Sequence, residues 1–268
     1  LTTLKKEKFL TTDRNNKKTG NDIKEAINKL NYHYDEYLID FNKKNLSGST
    51  PAHVIAMKGF DTIMTILADI VDLNGKPQVL LNEQNNLGET PCFLAAKHGQ
   101  SKVMKVFINL KDVNKKKRID FYKENYEGCS PSYIASERGH SNIIKELSLI
   151  NMDFNIPESK YGQTPCFGAC KQGNRYVLYE LIKYGANIHL ATPKKTGAFT
   201  PFFISIYNNN LDISKILLQH GYLPKFKDFR NKNKNLIHKI IDWCQQQEEL
   251  KETREQLTKI RDFYDPKK

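Results

Sequence analysis

The sequence predicts an all-α solenoid, built from stacked helix-turn-helix units with β-hairpin-like tips and helical caps at its ends. A Ser or Thr followed by Pro recurs five times, at intervals of 40, 40, 34 and 36 residues. The pairs are Thr50-Pro51, Thr90-Pro91, Ser130-Pro131, Thr164-Pro165 and Thr200-Pro201. In four of the five units a Gly stands nine residues after the hydroxyl residue, and an apolar run follows it. Self-similarity at such a period is typical of repeat architectures.

Each hydroxyl–proline pair predicts the start of a short first helix. The hydroxyl can accept a hydrogen bond at the helix N-terminus, and Pro in the first turn lacks only an N–H that has no partner there. The Gly predicts the end of this helix, because Gly takes the left-handed conformation at low cost. These glycines are Gly59, Gly99, Gly139 and Gly173, and Asn209 takes the place in the fifth unit.

A second, amphipathic helix is predicted in every unit. Ile63, Ile66 and Leu67, for example, stand at i, i+3 and i+4, on one helical face. A polar turn with Gly precedes each hydroxyl–proline pair, at Gly48, Gly88, Gly128, Gly162 and Gly197. The first two units are longer, with extra residues over 71–85 and 112–125, which predict an inserted turn or a lengthened helix.

These units resemble ankyrin repeats, whose pattern includes Thr-Pro-Leu-His, two alanines, a Gly and a later Gly-Ala. Thr50-Pro51-Ala52-His53 matches its start, and Leu181 to Asn187 matches its end. The family's His remains at His53 and His238, and aromatic residues replace it at Phe93, Tyr133, Phe167 and Phe203. The resemblance covers about residues 45–264 and implies a non-catalytic scaffold that binds another protein along a concave face.

Three segments are predicted: residues 1–44 as an N-terminal segment with a capping helix, 45–234 as five repeats, and 235–268 as a degenerate sixth repeat with a C-terminal capping helix. The first cap is predicted over residues 21–41, with apolar positions at Ile23, Ile27, Leu30, Tyr34 and Leu38. It covers the first repeat or belongs to a neighbouring domain. The last cap is predicted over residues 248–264, with Leu250, Leu257, Ile260 and Phe263 turned inward.

No enzyme, cofactor or metal site is predicted. Cys166 and Cys170 have the spacing of metal ligands, but Cys92 and Ala96 occupy the equivalent positions two units earlier, so these positions favour core packing. The sequence contains no P-loop, HExxH or nucleophile-elbow pattern. Five scattered cysteines favour a reducing, cytoplasmic compartment over a disulfide framework. No run approaches the roughly 18 apolar residues that predict a membrane span.

The net charge of +12 raises the question of nucleic-acid binding. Only seven of the 42 basic residues are Arg, the side chain preferred for bidentate phosphate contacts, and Lys is accompanied by abundant Asn. Nucleic acid is therefore not the predicted partner. The densest basic run, Lys115 to Arg118, is interpreted either as a localisation signal or anionic-surface contact, or as a solvated tip.

The resemblance implies that the hairpin tips and the exposed ends of the first helices bind the partner. On the tips the candidates are Tyr126, Glu127, Lys160 and Tyr161. On the first helices they are Lys97, His98, Glu137, Arg138, Lys171, Gln172 and Tyr207. The tip tyrosines are the main candidates because Tyr is favoured as an interface anchor, although each could instead pack on the adjacent hairpin.

We therefore expect a monomeric scaffold that binds another protein. Irregular Lys/Asn-rich ankyrin arrays resemble effectors that intracellular bacteria such as Legionella inject, so a host protein as partner and secretion into a host cell are further expectations. The chain begins at Leu1 without Met. The alternative is therefore the targeting module of a larger enzyme whose catalytic domain lies outside this sequence.

Overall fold

The computed structural model describes residues 40–71, 77–112, 114, 116–225 and 234–264. The helices within these residues are α1 Pro51–Lys58, α2 Asp61–Ala68, α3 Pro91–Lys97, α4 Ser101–Asn109, α5 Pro131–Arg138, α6 Ser141–Ser148, α7 Pro165–Gln172, α8 Arg175–Lys183, α9 Pro201–Tyr207, α10 Leu211–Gln219, α11 Lys234–Gln245 and α12 Lys251–Tyr264. The described residues also form short 3-10 helices at Lys194–Thr196 and Glu248–Leu250.

The helices form two layers. The first helices α1, α3, α5, α7 and α9 pack against one another in chain order, and so do the second helices α2, α4, α6, α8 and α10. Within each unit the two helices are antiparallel neighbours joined by a short turn. No named β-strand occurs in the described part of the chain. The predicted all-α solenoid is confirmed.

The hydroxyl–proline pairs start the first helices as predicted. The hydroxyl groups of Thr90, Ser130, Thr164 and Thr200 each accept a hydrogen bond from the backbone N–H three residues later. At the other end, Gly59, Gly139 and Gly173 adopt the left-handed conformation. Asn209 has φ 58° and does the same in the fifth unit.

A ladder of side-chain hydrogen bonds joins each unit to the one before it. In four units, the side chain just before the second helix bonds to a backbone carbonyl near the end of the first helix of the preceding unit. These side chains are Gln100, His140, Asn174 and Asn210. His140 Nε2, for example, lies 3.0 Å from the carbonyl oxygen of Lys97. This ladder was not predicted from the sequence, because the side chain and the carbonyl that it bonds to are about 40 residues apart.

The core runs through the whole array and includes the positions predicted to pack. Cys92, Cys166 and Cys170 are buried, as the core interpretation requires. His53 is buried too, with Nδ1 accepting from the Thr50 N–H at 3.0 Å and Nε2 3.0 Å from the carbonyl oxygen of Glu89. It therefore ties the first repeat to the backbone of the second.

The two longer connections are each closed at their base, and part of each lies outside the described residues. Isolated antiparallel bridges close them, Val71 with Pro77 and Lys111 with Lys117. The basic run near the second turn is not a uniform solvated tip. Lys116 and Lys117 are exposed, but Arg118 is half-buried and its Nη1 donates to the carbonyl of Ala68 at 2.7 Å.

The C-terminal end differs in part from the prediction. Leu257 and Ile260 on α12 are fully buried and Leu250 packs against the core, but Phe263 is 67% exposed, so its inward assignment is wrong. Phe263 stands in the last turn of α12, where no further element follows among the described residues to cover it. The N-terminal cap predicted over 21–41 lies outside the described residues except for Asp40 and Phe41.

None of the described helices is both long and apolar enough to cross a membrane.

Candidate functional site

One side chain organises each hairpin tip by accepting backbone N–H groups. In the first three units this residue is an Asn, namely Asn45, Asn85 and Asn125. In the fourth unit it is Glu158, whose buried carboxylate accepts from the N–H groups of Tyr161 at 2.7 Å, Gln163 at 3.0 Å and Lys160 at 2.8 Å. The backbone of the candidate residues Lys160 and Tyr161 is thereby held in place.

Neighbouring tips are also joined to one another. The backbone N–H of Tyr126 donates to the carbonyl of Leu87 at 3.1 Å, and that of Ser159 donates to the carbonyl of Gly128 at 3.1 Å. Tyr126 also packs on the tip before it, since a Cβ added to Gly88 would lie 2.6 Å from its Cδ1 atom. The residue is nevertheless 72% exposed. Tyr126 therefore packs on the adjacent hairpin and is still accessible to a partner.

The second tip tyrosine has a different environment. Tyr161 is 48% exposed, and Lys160 Nζ lies 5.1 Å from the centroid of its ring. Its carbonyl accepts a hydrogen bond from the Thr196 hydroxyl at 3.2 Å, which connects it to the fifth unit. Tyr161 thus presents a ring face and an adjacent ammonium group from a fixed backbone.

Five of the eleven candidate residues line one depression of about 400 Å³ between the third and fourth units. They are Glu127, Glu137, Lys160, Tyr161 and Lys171. The sequence reasoning missed the other four lining residues, Cys129, Tyr133, Glu158 and Gln163. We call this feature the central depression.

Tyr133 forms its buried wall. It stands in the family's His position, and its hydroxyl donates to Gln163 Oε1 at 2.7 Å, so it links the third unit to the fourth as His53 links the first to the second. Gly168 makes room for the ring, because a Cβ there would lie 3.2 Å from Tyr133 Cε2. The sequence contains a signal for this packing. Gly168 occupies a position that is aliphatic in the other units, as at Leu94 and Ile134, which indicates that a neighbouring side chain needs the space.

The charges of the central depression are largely fixed by contacts within the protein. Lys171 Nζ lies 3.4 Å from Glu137 Oε1. Burial, followed by the nearby carboxylates of Glu158 and Glu137, raises the pKa of the Cys129 thiol to about 12. Burial also raises the pKa of Tyr133 well above its usual range. Both groups stay protonated at neutral pH, so the depression offers hydrogen bonds, charges and a ring face rather than a nucleophile.

Apart from Tyr126 on its tip, the remaining candidates lie along the ends of the first helices, outside the central depression. Lys97 forms a 2.6 Å ion pair with the buried Glu89, and His98 beside it is exposed. Partial desolvation of the ring, followed by the charge of Lys97, lowers the pKa of His98. Arg138 and Gln172 are exposed at the ends of α5 and α7. Tyr207 is exposed at the end of α9, and its ring centroid lies 6.0 Å from that of Phe203.

The described residues contain no group of three or more His, Cys, Asp or Glu side chains that could hold a metal ion.

The fold and these tips define the class of protein. A family model described as "Ankyrin repeats (3 copies)" matches residues 19–117 and 132–228, which together exceed half of the chain. The chain therefore belongs to the ankyrin-repeat family. The solved structure of the ankyrin repeat domain of Bcl-3, described as a unique member of the IkappaB protein family, has a TM-score of 0.62 at 15% identity. The similarity covers 76% of this chain and 82% of that chain, and it shows the fold.

Two curated relatives carry the name "SMC5-SMC6 complex localization factor protein 1". The Homo sapiens protein is 33% identical over 75 residues, which is 28% of this chain and 7% of that protein. The Bos taurus protein is 31% identical over 104 residues, which is 39% of this chain and 10% of that protein. The chain thus spans a tenth or less of the length of these relatives.

Proposed function

We propose that this chain is a protein-binding module whose partner lies across the central depression and the adjacent tips. Ankyrin repeats generally mediate protein–protein interaction, which supports binding but leaves its position open. The observation that carries the position is the convergence of five candidate residues on one depression of about 400 Å³.

Preorganisation of the central depression supports the proposal. Glu158 holds the backbone of the Lys160 tip through three hydrogen bonds, and Tyr133 holds the wall through Gln163. Groups that are already ordered lose little conformational entropy when a partner binds, so more of the contact energy appears as affinity. Tyr126 and Tyr161 supply large, exposed rings, the kind of side chain that dominates interface energetics.

A pull-down from a lysate of the source cells, with the purified chain as bait, tests this proposal. The variant Tyr126→Ala/Tyr161→Ala should lose partners that the unchanged chain retains. Tyr176→Ala is the matched control, since Tyr176 is also an exposed tyrosine but lies on α8 in the layer of second helices. Equal recovery of every partner by all three baits would contradict the assignment of the binding surface.

A second candidate is that the array targets a larger protein to its site of action. The curated relatives favour it, because in them the matched segment is a tenth or less of a long protein whose printed name describes localisation of a complex. Sequencing the full reading frame tests this candidate. A stop codon directly after Lys268 together with a start codon shortly before Leu1 would remove it.

An effector role in a host cell, a host protein as partner and export from the producing cell rest on composition alone. The two curated relatives are vertebrate proteins, and nothing in their names points to an effector. The proposed binding function therefore requires neither a host cell nor an export step. Binding as a monomer is part of the proposal, and light scattering of the purified chain tests it.

A further inference from the structure

Another depression, of about 480 Å³, lies between helices α11 and α12, beyond the fifth repeat. Ile241 and Gln245 line it from α11. The residues that line it from α12 are Arg254, Glu255, Thr258, Lys259 and Arg261. We call this feature the C-terminal groove. It shares no lining residue with the central depression, so the proposed function makes no use of it.

The sequence of α12 brings hydrogen-bond donors together along the C-terminal groove. Arg254, Thr258 and Arg261 stand at i, i+4 and i+7, which is one face of a helix. Leu257 and Ile260 stand on the inner face of α12, where they are buried in the core. The two guanidinium groups and the Thr258 hydroxyl therefore line the groove from a helix that is packed in place.

The guanidinium group of Arg254 is only partly exposed, and no acceptor within the described residues bonds to it. Burial raises the pKa of the Cys244 thiol to about 11, and the positive charge of Arg254 acts against that rise, so this charge lies close to α11. A guanidinium group has five N–H donors and stays protonated at neutral pH. Its partial removal from water without an acceptor costs free energy, which an anionic ligand would recover.

The other charges leave the groove with a positive excess. Arg261 Nε and Nη2 lie 2.9 and 2.8 Å from Oδ1 of Asp262, which orients the guanidinium group and leaves its Nη1 without an acceptor among the described residues. Lys259 is exposed on the same wall. Glu255 is the one carboxylate among the lining residues. Cations therefore outnumber carboxylates even when Asp262 is counted against Arg261.

We propose that the C-terminal groove binds a phosphate monoester. A phosphate group presents three strong acceptor oxygens, and guanidinium groups bind such oxygens in pairs. Donors of two arginines, a lysine and a threonine reach the groove, which matches three tetrahedral oxygens better than the two coplanar oxygens of a carboxylate. The organic part of the ligand rests on Ile241, the apolar lining residue.

Titration of the isotope-labelled full chain with inorganic phosphate at pH 7.5, followed by NMR, tests this proposal. The amide signals of Lys251–Tyr264 should shift to saturation. Arg254→Gln should weaken binding by about tenfold or more, because a charge-assisted contact is lost. Arg254→Lys should bind with intermediate affinity, because the charge is kept and the paired donors are lost. Arg175→Gln is the matched control, since Arg175 is an exposed arginine on α8 that bonds to Tyr176.

Two further ligands distinguish the source of the phosphate group. Tighter binding of a phosphoserine peptide than of AMP would support the proposal with a phosphorylated protein as ligand, and the reverse would support it with a nucleotide as ligand. The unphosphorylated peptide should not bind.

The absence of a saturable shift with all three phosphate ligands would overturn the proposal, and so would equal affinity of the wild type and Arg254→Gln. Lys259→Gln changes an exposed residue and should also weaken binding, so it replaces Arg254→Gln if that variant does not fold. Tyr161→Ala should bind phosphate as the wild type does. Failure of this proposal is therefore separate from failure of the proposed function.

Discussion

The hydroxyl of Tyr133, in the first helix of the third repeat, donates a 2.7 Å hydrogen bond to Oε1 of Gln163, in the tip of the fourth. At the junction of the first two repeats, the buried His53 contacts the backbone of the next repeat. At the junction of the third and fourth repeats, a contact between two side chains takes its place. It fixes the two repeats that enclose the central depression relative to one another. The stability of this junction and the shape of the candidate binding surface therefore depend on the same pair.

Replacing Tyr133 by Phe should lower the free energy of unfolding by about 1 kcal/mol, because one part-buried hydrogen bond is lost and the ring volume is kept. Urea denaturation followed by circular dichroism measures the change. Tyr176→Phe is the control, since the Tyr176 hydroxyl bonds to Arg175 on an exposed surface. Equal effects of the two changes would show that the Tyr133–Gln163 contact contributes nothing specific.

Replacing Glu146 by Ile should raise the free energy of unfolding by about 1 kcal/mol. Glu146 Oε2 is buried and has no hydrogen-bond partner within the described structure. The equivalent positions in the first and fifth repeats are the buried Ile66 and Ile216. Chemical denaturation measures the gain, with Glu255→Ile on an exposed position of α12 as control. A loss of stability in Glu146→Ile would mean that the carboxylate has a stabilising role after all.

Replacing Gly99 by Ala should cost more stability than replacing Gly185 by Ala. Both glycines have φ between 68° and 83°, so both variants incur about 1 kcal/mol of backbone strain. Only at Gly99 would the new Cβ also meet His140 Nδ1, at 2.6 Å, and disturb the ladder between repeats, whereas at Gly185 nothing lies within 4 Å. Thermal unfolding compares the two, and equal shifts in Tm would argue against a packing role for the ladder.

Stability should fall on mild acidification, in part through His53. Burial lowers the pKa of His53 from 6.5, so the unfolded chain binds the proton more readily. The contribution of the neutral His53 to the free energy of unfolding is therefore complete above about pH 6.5 and is lost as the pH falls below that value. His53→Phe, which introduces the residue found at this position in three later repeats, should be less stable than wild type at pH 7.5. The difference in Tm should narrow at pH 5.5; an unchanged difference would show that His53 does not titrate on unfolding.

The repeat architecture could be predicted from sequence because each signal is local. A hydroxyl–proline pair and a Gly nine residues later fix the two ends of a helix through contacts within a few residues. Even Asn209, which stands where Gly is usual, takes the expected left-handed conformation.

The central depression could not be fully predicted, because the contacts that join its two repeats, Tyr133 with Gln163 and Glu137 with Lys171, link residues 30 and 34 positions apart. Gln163 lies in a turn, and nothing in its own neighbourhood indicates that it accepts from Tyr133. Glu158 replaces the Asn of the earlier tips only in the fourth unit, which is one residue longer through the turn. Phe263 was wrongly turned inward because helical periodicity gives the face of a residue but not whether another element packs on that face in the last turn of the helix.

The affinity of the chain for a partner recovered in the pull-down tests the proposed binding surface most directly. Isothermal titration calorimetry would compare the unchanged chain with Tyr161→Ala and with the control Tyr176→Ala. We expect Tyr161→Ala to weaken binding by about tenfold or more, the loss typical of an anchor residue, and Tyr176→Ala to leave the Kd unchanged. An unchanged Kd in Tyr161→Ala, or an equal loss in both variants, would contradict a partner bound across the central depression.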